Sequence, residues 1–144
     1  MGAKPIWDVM VVDDMPQFGK LVEQYTMMID IPCHVRWLST LEEAEKILRT
    51  RPPHLLLLDM NMPTDHWMPP QTARTNHQPG TTLSFCQRVV SDPTLARVAV
   101  VMVSVESQAK DQARKAGAHA FYNKYDFTVD VFEDILLRIS ARYQ

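Results

Sequence analysis

Cysteine is scarce in this chain. Two residues in 144, Cys33 and Cys86, are too few for a disulfide framework, and both read as buried or half-buried thiols of a reducing compartment. Long apolar runs are absent too. None approaches the roughly 20 residues that a membrane span requires. An excess of positive charge is also missing. Lys and Arg number 15 against 17 Asp and Glu, a formal net charge of −2, so no sequence-independent grip on nucleic acid is expected. No signal-peptide pattern stands before the first strand-like segment, and Met1-Gly2 lacks the downstream Ser/Thr of a myristoylation motif. The expected location is the cytoplasm, with neither membrane nor nucleic acid as a partner. No repeat or low-complexity segment occurs apart from one Pro-rich stretch. What is present is ordinary globular composition, 46% hydrophobic and 22% charged, in a length that suits one domain over residues 1–144.

Ile6 to Val12 is an apolar, β-branched run that ends abruptly in Asp13-Asp14, which predicts a buried strand. From Pro16 the pattern turns helical, with Phe18, Leu21, Val22 and Tyr25 at spacings of three and four. His34 to Leu38 is a second strand. Ser39-Thr40-Leu41-Glu42 has the form of a capping box. It opens a helix whose inner stripe is Leu41, Ala44, Ile47 and Leu48, and Pro52-Pro53 stops it. His54 to Asp59 is a third strand, and its unbroken apolar run suits a parallel strand covered on both faces. Helix is expected again from about Gly80, with Leu83, Cys86 and Val90 on one side. Ala96 to Ser104 is a fourth strand and Glu106 to Ala116 a short polar helix, closed by Gly117 as a C′ residue. Ala118 to Lys124 is a fifth strand, and Val131, Phe132, Ile135, Leu136 and Ile139 stripe a final helix. Strands alternating with helices predict an α/β, doubly wound parallel sheet of five strands.

The polar residues fall where such a sheet binds ligands. Asp13 and Asp14 end the first strand, Asp59 the third, Ser104 the fourth and Lys124 the fifth. Carboxyl ends of parallel strands share one edge, beside a topological switch point. Two carboxylates about 4 Å apart repel by roughly 4 kcal/mol at an effective dielectric near 20. A hard divalent cation such as Mg²⁺ relieves that repulsion through oxygen ligands, and neutralising Asp13 is expected to stabilise the metal-free protein. Lys124 and the Ser104 hydroxyl can meet phosphoryl oxygens, and an Asp facing them can act as a nucleophile.

These pieces resemble the receiver domain of two-component response regulators, over essentially the whole chain and in its single-domain, chemotaxis-regulator-like form. The matching segments are Val11-Val12-Asp13-Asp14, Leu57-Leu58-Asp59-Met60-Asn61-Met62-Pro63, Val103-Ser104 and the Lys124 region. The resemblance implies a flavodoxin-like sheet of order 2-1-3-4-5 and a phosphoacceptor at Asp59. It implies Mg²⁺ held by Asp14, Asp59 and the Asn61 backbone carbonyl, with Asp13 reaching it through water. Ser104 and Lys124 would bind the phosphoryl group, with Ser104 and Phe121 as switch residues. A histidine kinase or histidine phosphotransfer protein would be the donor, and a downstream protein the target.

Three features depart from that pattern. Tyr125 follows Lys124 where the family usually has Pro, which removes the preference for a cis peptide. Val105 follows Ser104 where Ala or Gly is common, narrowing access to Asp59. Residues 64–79 form a long loop beside the phosphoacceptor, expected to act as a lid or a partner contact through Trp67 and its prolines; the alternative is an insertion without effect on chemistry. His66 and His77 within it read as solvated side chains rather than metal ligands. Two other functions compete. A pseudo-receiver would use the fold as an adaptor without phosphorylation, against which the intact acidic and basic set speaks. A small Mg²⁺-dependent phosphatase would use Asp59 as nucleophile, but enzymes of the haloacid dehalogenase type carry a second Asp where this chain has Asn61. The chain is therefore expected not to be a turnover enzyme.

Overall fold

The computed structural model describes residues 5–63, 67–68 and 81–142. Strands β1 (Trp7–Val12), β2 (Cys33–Leu38), β3 (Leu55–Asp59), β4 (Ala99–Ser104) and β5 (Ala120–Asn123) alternate with helices α1 (Pro16–Thr26), α2 (Leu41–Thr50), α3 (Thr82–Ser91), α4 (Lys110–Lys115) and α5 (Val129–Arg142). All strand pairs are parallel, and the sheet order is β2-β1-β3-β4-β5. This is the flavodoxin-like order.

Side chains alternate across the sheet and split the core in two. Val9, Val11, Leu55, Leu57, Val101 and Val103 face one layer, where Phe18 and Val22 of α1 meet Phe132, Ile135 and Leu136 of α5. Met10, Val12, Leu56, Leu58, Val100 and Met102 face the other, where Leu41, Ala44 and Leu48 of α2 meet Phe85 and Val89 of α3. Burial on both faces is why the central strands read as continuous apolar runs.

Local chemistry moves several boundaries. Thr40, not Ser39, caps α2, accepting the Glu43 amide at 3.1 Å. The sequence Ser-Thr-Leu-Glu-Glu holds two overlapping capping boxes, and the second is the one formed. The helix expected over 106–116 divides into a 3₁₀ turn at Ser107–Ala109 and the six residues of α4. Gly117 does close it, with φ of 93° and two bonds, Gly117 N to Arg114 O and Ala118 N to Ala113 O, that satisfy its last carbonyls. Lys124 begins a 3₁₀ turn after β5 rather than ending the strand, and the peptide to Tyr125 is trans.

The expectation for Trp67 is overturned. Its side chain is 2% exposed, edge-on to Phe85 at 5.1 Å, and its indole N–H donates to Glu45 Oε1 at 3.2 Å. Glu45 is itself clamped by Arg88 at 2.8 and 2.9 Å. A ring buried in its own core is not a partner contact. Apart from Trp67 and Met68, the 64–79 loop lies outside the described residues, as do His66 and His77.

Candidate functional site

The first strand's apolar run ends because its next residue leaves the sheet. Asp13 N still donates to Leu38 O at 3.1 Å, and the Asp13 side chain then turns back to accept the Met15 amide on Oδ1 at 3.0 Å. That contact delivers the chain to α1, whose cap residue Met15 has no capping side chain of its own and whose first residue is Pro16. Asp59 does the same at the end of β3, accepting the Asn61 amide on Oδ1 at 3.2 Å. Both acids therefore play the plain turn-capping role as well.

Their surroundings exceed what a turn needs. Asp13 is 1% exposed and Asp59 4%, whereas Asp14 is exposed. Carboxylate oxygens of all three lie within 4.8 Å of one another. Lys124 Nζ reaches Asp13 Oδ2 at 2.7 Å and Asp59 Oδ1 at 3.6 Å, and sits 5.5 Å from the Phe18 ring centroid. Burial holds the Asp59 carboxyl above the usual carboxylate range, and the charges of Asp13 and Asp14 push the same way. The Asn61 amide and Lys124 oppose them without cancelling the effect. Both contacts of Asp59 fall on Oδ1; Oδ2 has no partner among the described residues.

Ser104, at the end of β4, is fully buried. Its Oγ accepts from Asn61 Nδ2 at 3.2 Å and from the Glu106 amide at 3.0 Å, which leaves its own proton to donate. Phe121 is half-buried against the α2–α3 layer, paired in register with Met102, and makes no aromatic contact among the described residues. Val105 is exposed at the rim of a cleft of about 340 Å³ that also involves Asp13, Met15, Phe18, Lys124 and Tyr125. Tyr125 is 82% exposed.

The expected relief on neutralising Asp13 needs revision. Asp13, not Asp59, carries the short ion pair to Lys124, so removing its charge removes a bond as well as a repulsion. Two residues escaped the sequence reading. Asn123 joins the loops after β4 and β5, donating to Val105 O and Ser107 Oγ and accepting the Tyr125 amide. Trp37, on edge strand β2, donates to the Asp13 carbonyl at 2.7 Å. Trp37 does not sit at an abrupt change in hydropathy, the signal that exposed the acids; Asn123 does, at the end of β5, beside the Lys124 that was singled out instead. An all-oxygen set of three converging carboxylates, two of them buried, fits a hard divalent cation.

No protein-family model matches the chain, and no curated protein matches it in sequence. Solved structures match its fold. A candidate response regulator from Chloroflexus aurantiacus aligns with a TM-score of 0.74 at 19% identity, covering 95% of this chain and 99% of its own. The Mn²⁺-bound form of response regulator Rcp1 aligns with a TM-score of 0.66 at 17% identity, over 90% of this chain and 88% of that one. The phosphorylated cyanobacterial phytochrome response regulator RcpA gives 0.69 at 19% identity, over 91% and 89%. Strand order, the position of the acids at the strand ends and these alignments agree: the chain has the fold of response-regulator receiver domains.

Proposed function

We propose that the protein is a phosphoacceptor switch, taking a phosphoryl group onto Asp59 with a divalent cation and passing the signal on by protein–protein contact. The observation that carries this reading is two buried acids, Asp13 and Asp59, bridged by one lysine. Burying charge costs several kcal/mol per ion even after relaxation, and a turn cap alone does not require it. The donor would be a histidine kinase or histidine phosphotransfer protein, and a downstream protein would read the phosphorylated surface. The whole chain, 1–144, would serve as one receiver domain.

Asp13, Asp14 and Asp59 would hold the cation together with the Asn61 backbone carbonyl, Mg²⁺ being the ordinary candidate. When bound, it offsets the carboxylate charge and polarises the phosphoryl oxygens. In the transfer, Asp59 Oδ2 attacks phosphorus as the P–N bond to the donor imidazole breaks, with the bonding pair staying on the imidazole nitrogen. Lys124 and the Ser104 hydroxyl bind the phosphoryl oxygens, and Ser104 and Phe121 form the switch. The chain supplies an acceptor, not a turnover catalyst. That proteins of this fold include an Mn²⁺-bound regulator and a phosphorylated one supports both halves of the reading.

Intact mass after incubation with acetyl phosphate and Mg²⁺ tests it. One phosphoryl group is expected on the protein, none in EDTA and none on Asp59→Asn. Equal labelling of Asp59→Asn would overturn the assignment.

A further inference from the structure

Asp14 is the least anchored of the three acids. Its carboxylate makes no hydrogen bond or ion pair among the described residues, yet one of its oxygens lies within 4.8 Å of those of Asp13 and Asp59. Its placement therefore depends on the backbone that carries it. The peptide joining Asp13 to Asp14 is held through its carbonyl, which accepts the Trp37 indole N–H at 2.7 Å. On either side, the Asp13 amide is bonded to Leu38 O and the Met15 amide to Asp13 Oδ1.

Trp37 is 43% exposed on an edge strand, so core packing does not explain the direction of its ring. The ring runs along α1 at Gly19. A Cβ at Gly19 would lie 3.2 Å from Trp37 Cβ and 3.3 Å from its Cγ and Cδ1. Glycine in a helix interior is less favourable than Ala. Here it leaves the space in which the indole lies flat enough to reach the Asp13 carbonyl.

We propose that Trp37 is a positioning residue for the divalent-cation site: its indole N–H fixes the Asp13–Asp14 peptide and thereby aims the Asp14 carboxylate, with Gly19 as the clearance that permits it. This rests on the metal-binding reading of the three acids. One neutral hydrogen bond is worth about 1 kcal/mol, which corresponds to roughly fivefold in a dissociation constant.

Mn²⁺ binding to the full chain, followed by the electron paramagnetic resonance of free Mn²⁺, tests the proposal beside thermal melting in chelator. The wild type is expected to bind one Mn²⁺ competed by Mg²⁺. Trp37→Phe keeps a ring and removes the donor, and is expected to weaken Mn²⁺ about fivefold. Gly19→Ala leaves every site residue and Trp37 in place but crowds the ring. It is expected to weaken Mn²⁺ in the same direction while its melting temperature in chelator holds or rises, since Ala favours the helix. A purely structural role moves both readouts together. Combined with Trp37→Phe, Gly19→Ala should add nothing. Wild-type affinity in both single variants would overturn the role of Trp37 alone, whereas a wild type that binds no Mn²⁺ would overturn the metal reading and this proposal with it.

Discussion

Asp59 pays for its position in protonation energy. Its carboxyl titrates above the ordinary range, so folding favours the neutral form. That penalty is absent at pH values below the usual carboxylate range, near 3.9, and grows as pH rises through the ordinary and then the folded value. Asp59→Asn should therefore raise the chelator melting temperature. Asp13→Asn should lower stability by roughly 1–3 kcal/mol, because Lys124 then loses its 2.7 Å partner. Melts of both variants at pH 7 in EDTA check the opposite signs; two shifts of the same sign would contradict the charge arrangement. His119 gives a second titration. Its Nδ1 accepts the Val100 amide at 2.9 Å, and partial burial, with the charge of Arg142, lowers its pKa. Its contribution is present above the ordinary value near 6.5 and lost as pH falls through that value to the folded one. His119→Asn offers an acceptor that does not protonate, so its melting temperature should fall less steeply below pH 6.5 than the wild type's. Parallel profiles would remove His119 from the account. The acids, Ser104 and Lys124 were legible because each ends an apolar strand or follows it directly. The ion pair between Asp13 and Lys124 was not, since it joins residues 111 positions apart and a sequence displays no distances.

Helices announced themselves by stripe, and their ends by chemistry that tertiary contacts then adjusted. Thr40 rather than Ser39 caps α2, a choice between two overlapping boxes that the local sequence leaves open. The fourth helix is shorter than its polar, Ala-containing sequence suggested; Ala113 is its one buried residue, flanked by buried Ala109 and Ala116, a small apolar face with little to hold a longer element. Trp67 was misread for a related reason. A Trp among prolines in a long loop looks like a surface contact, and nothing local reveals a buried Glu45–Arg88 pair waiting for its N–H. That pair and ring fasten the segment after β3 to α2 and α3. Trp67→Ala should cost about 3–5 kcal/mol, and Trp67→Phe about 1 kcal/mol through the lost N–H. Arg88→Met should cost about 3 kcal/mol, because it removes the two-bond partner of buried Glu45 and leaves it only Arg49 at 3.2 Å and the Trp67 N–H. Urea unfolding checks all three. A Trp67→Ala midpoint equal to the wild type's would show that the ring is not part of the core.

At the scale of the molecule, the parallel sheet was legible because alternation of apolar strands with amphipathic helices admits few other arrangements. The sheet order came from resemblance, not from periodicity, and the observed order agrees with it. That order puts β1 and β3 side by side and β5 beyond β4, bringing Asp13, Asp14, Asp59, Ser104 and Lys124 to one edge. The free thiols take no part. Burial pushes Cys33 up to about 11 and Cys86 to about 12, leaving both unreactive at neutral pH. No described helix is long and apolar enough to cross a membrane. The central claim is a covalent phosphoryl group on one carboxylate among three neighbours, and borohydride tests it most directly, because it reduces an acyl phosphate to the alcohol and so marks the aspartate that carried it. After phosphorylation with acetyl phosphate and Mg²⁺, reduction and peptide mass analysis, homoserine should replace aspartate at position 59. Homoserine at position 13 or 14, or at no aspartate while the protein is phosphorylated elsewhere, would contradict the account.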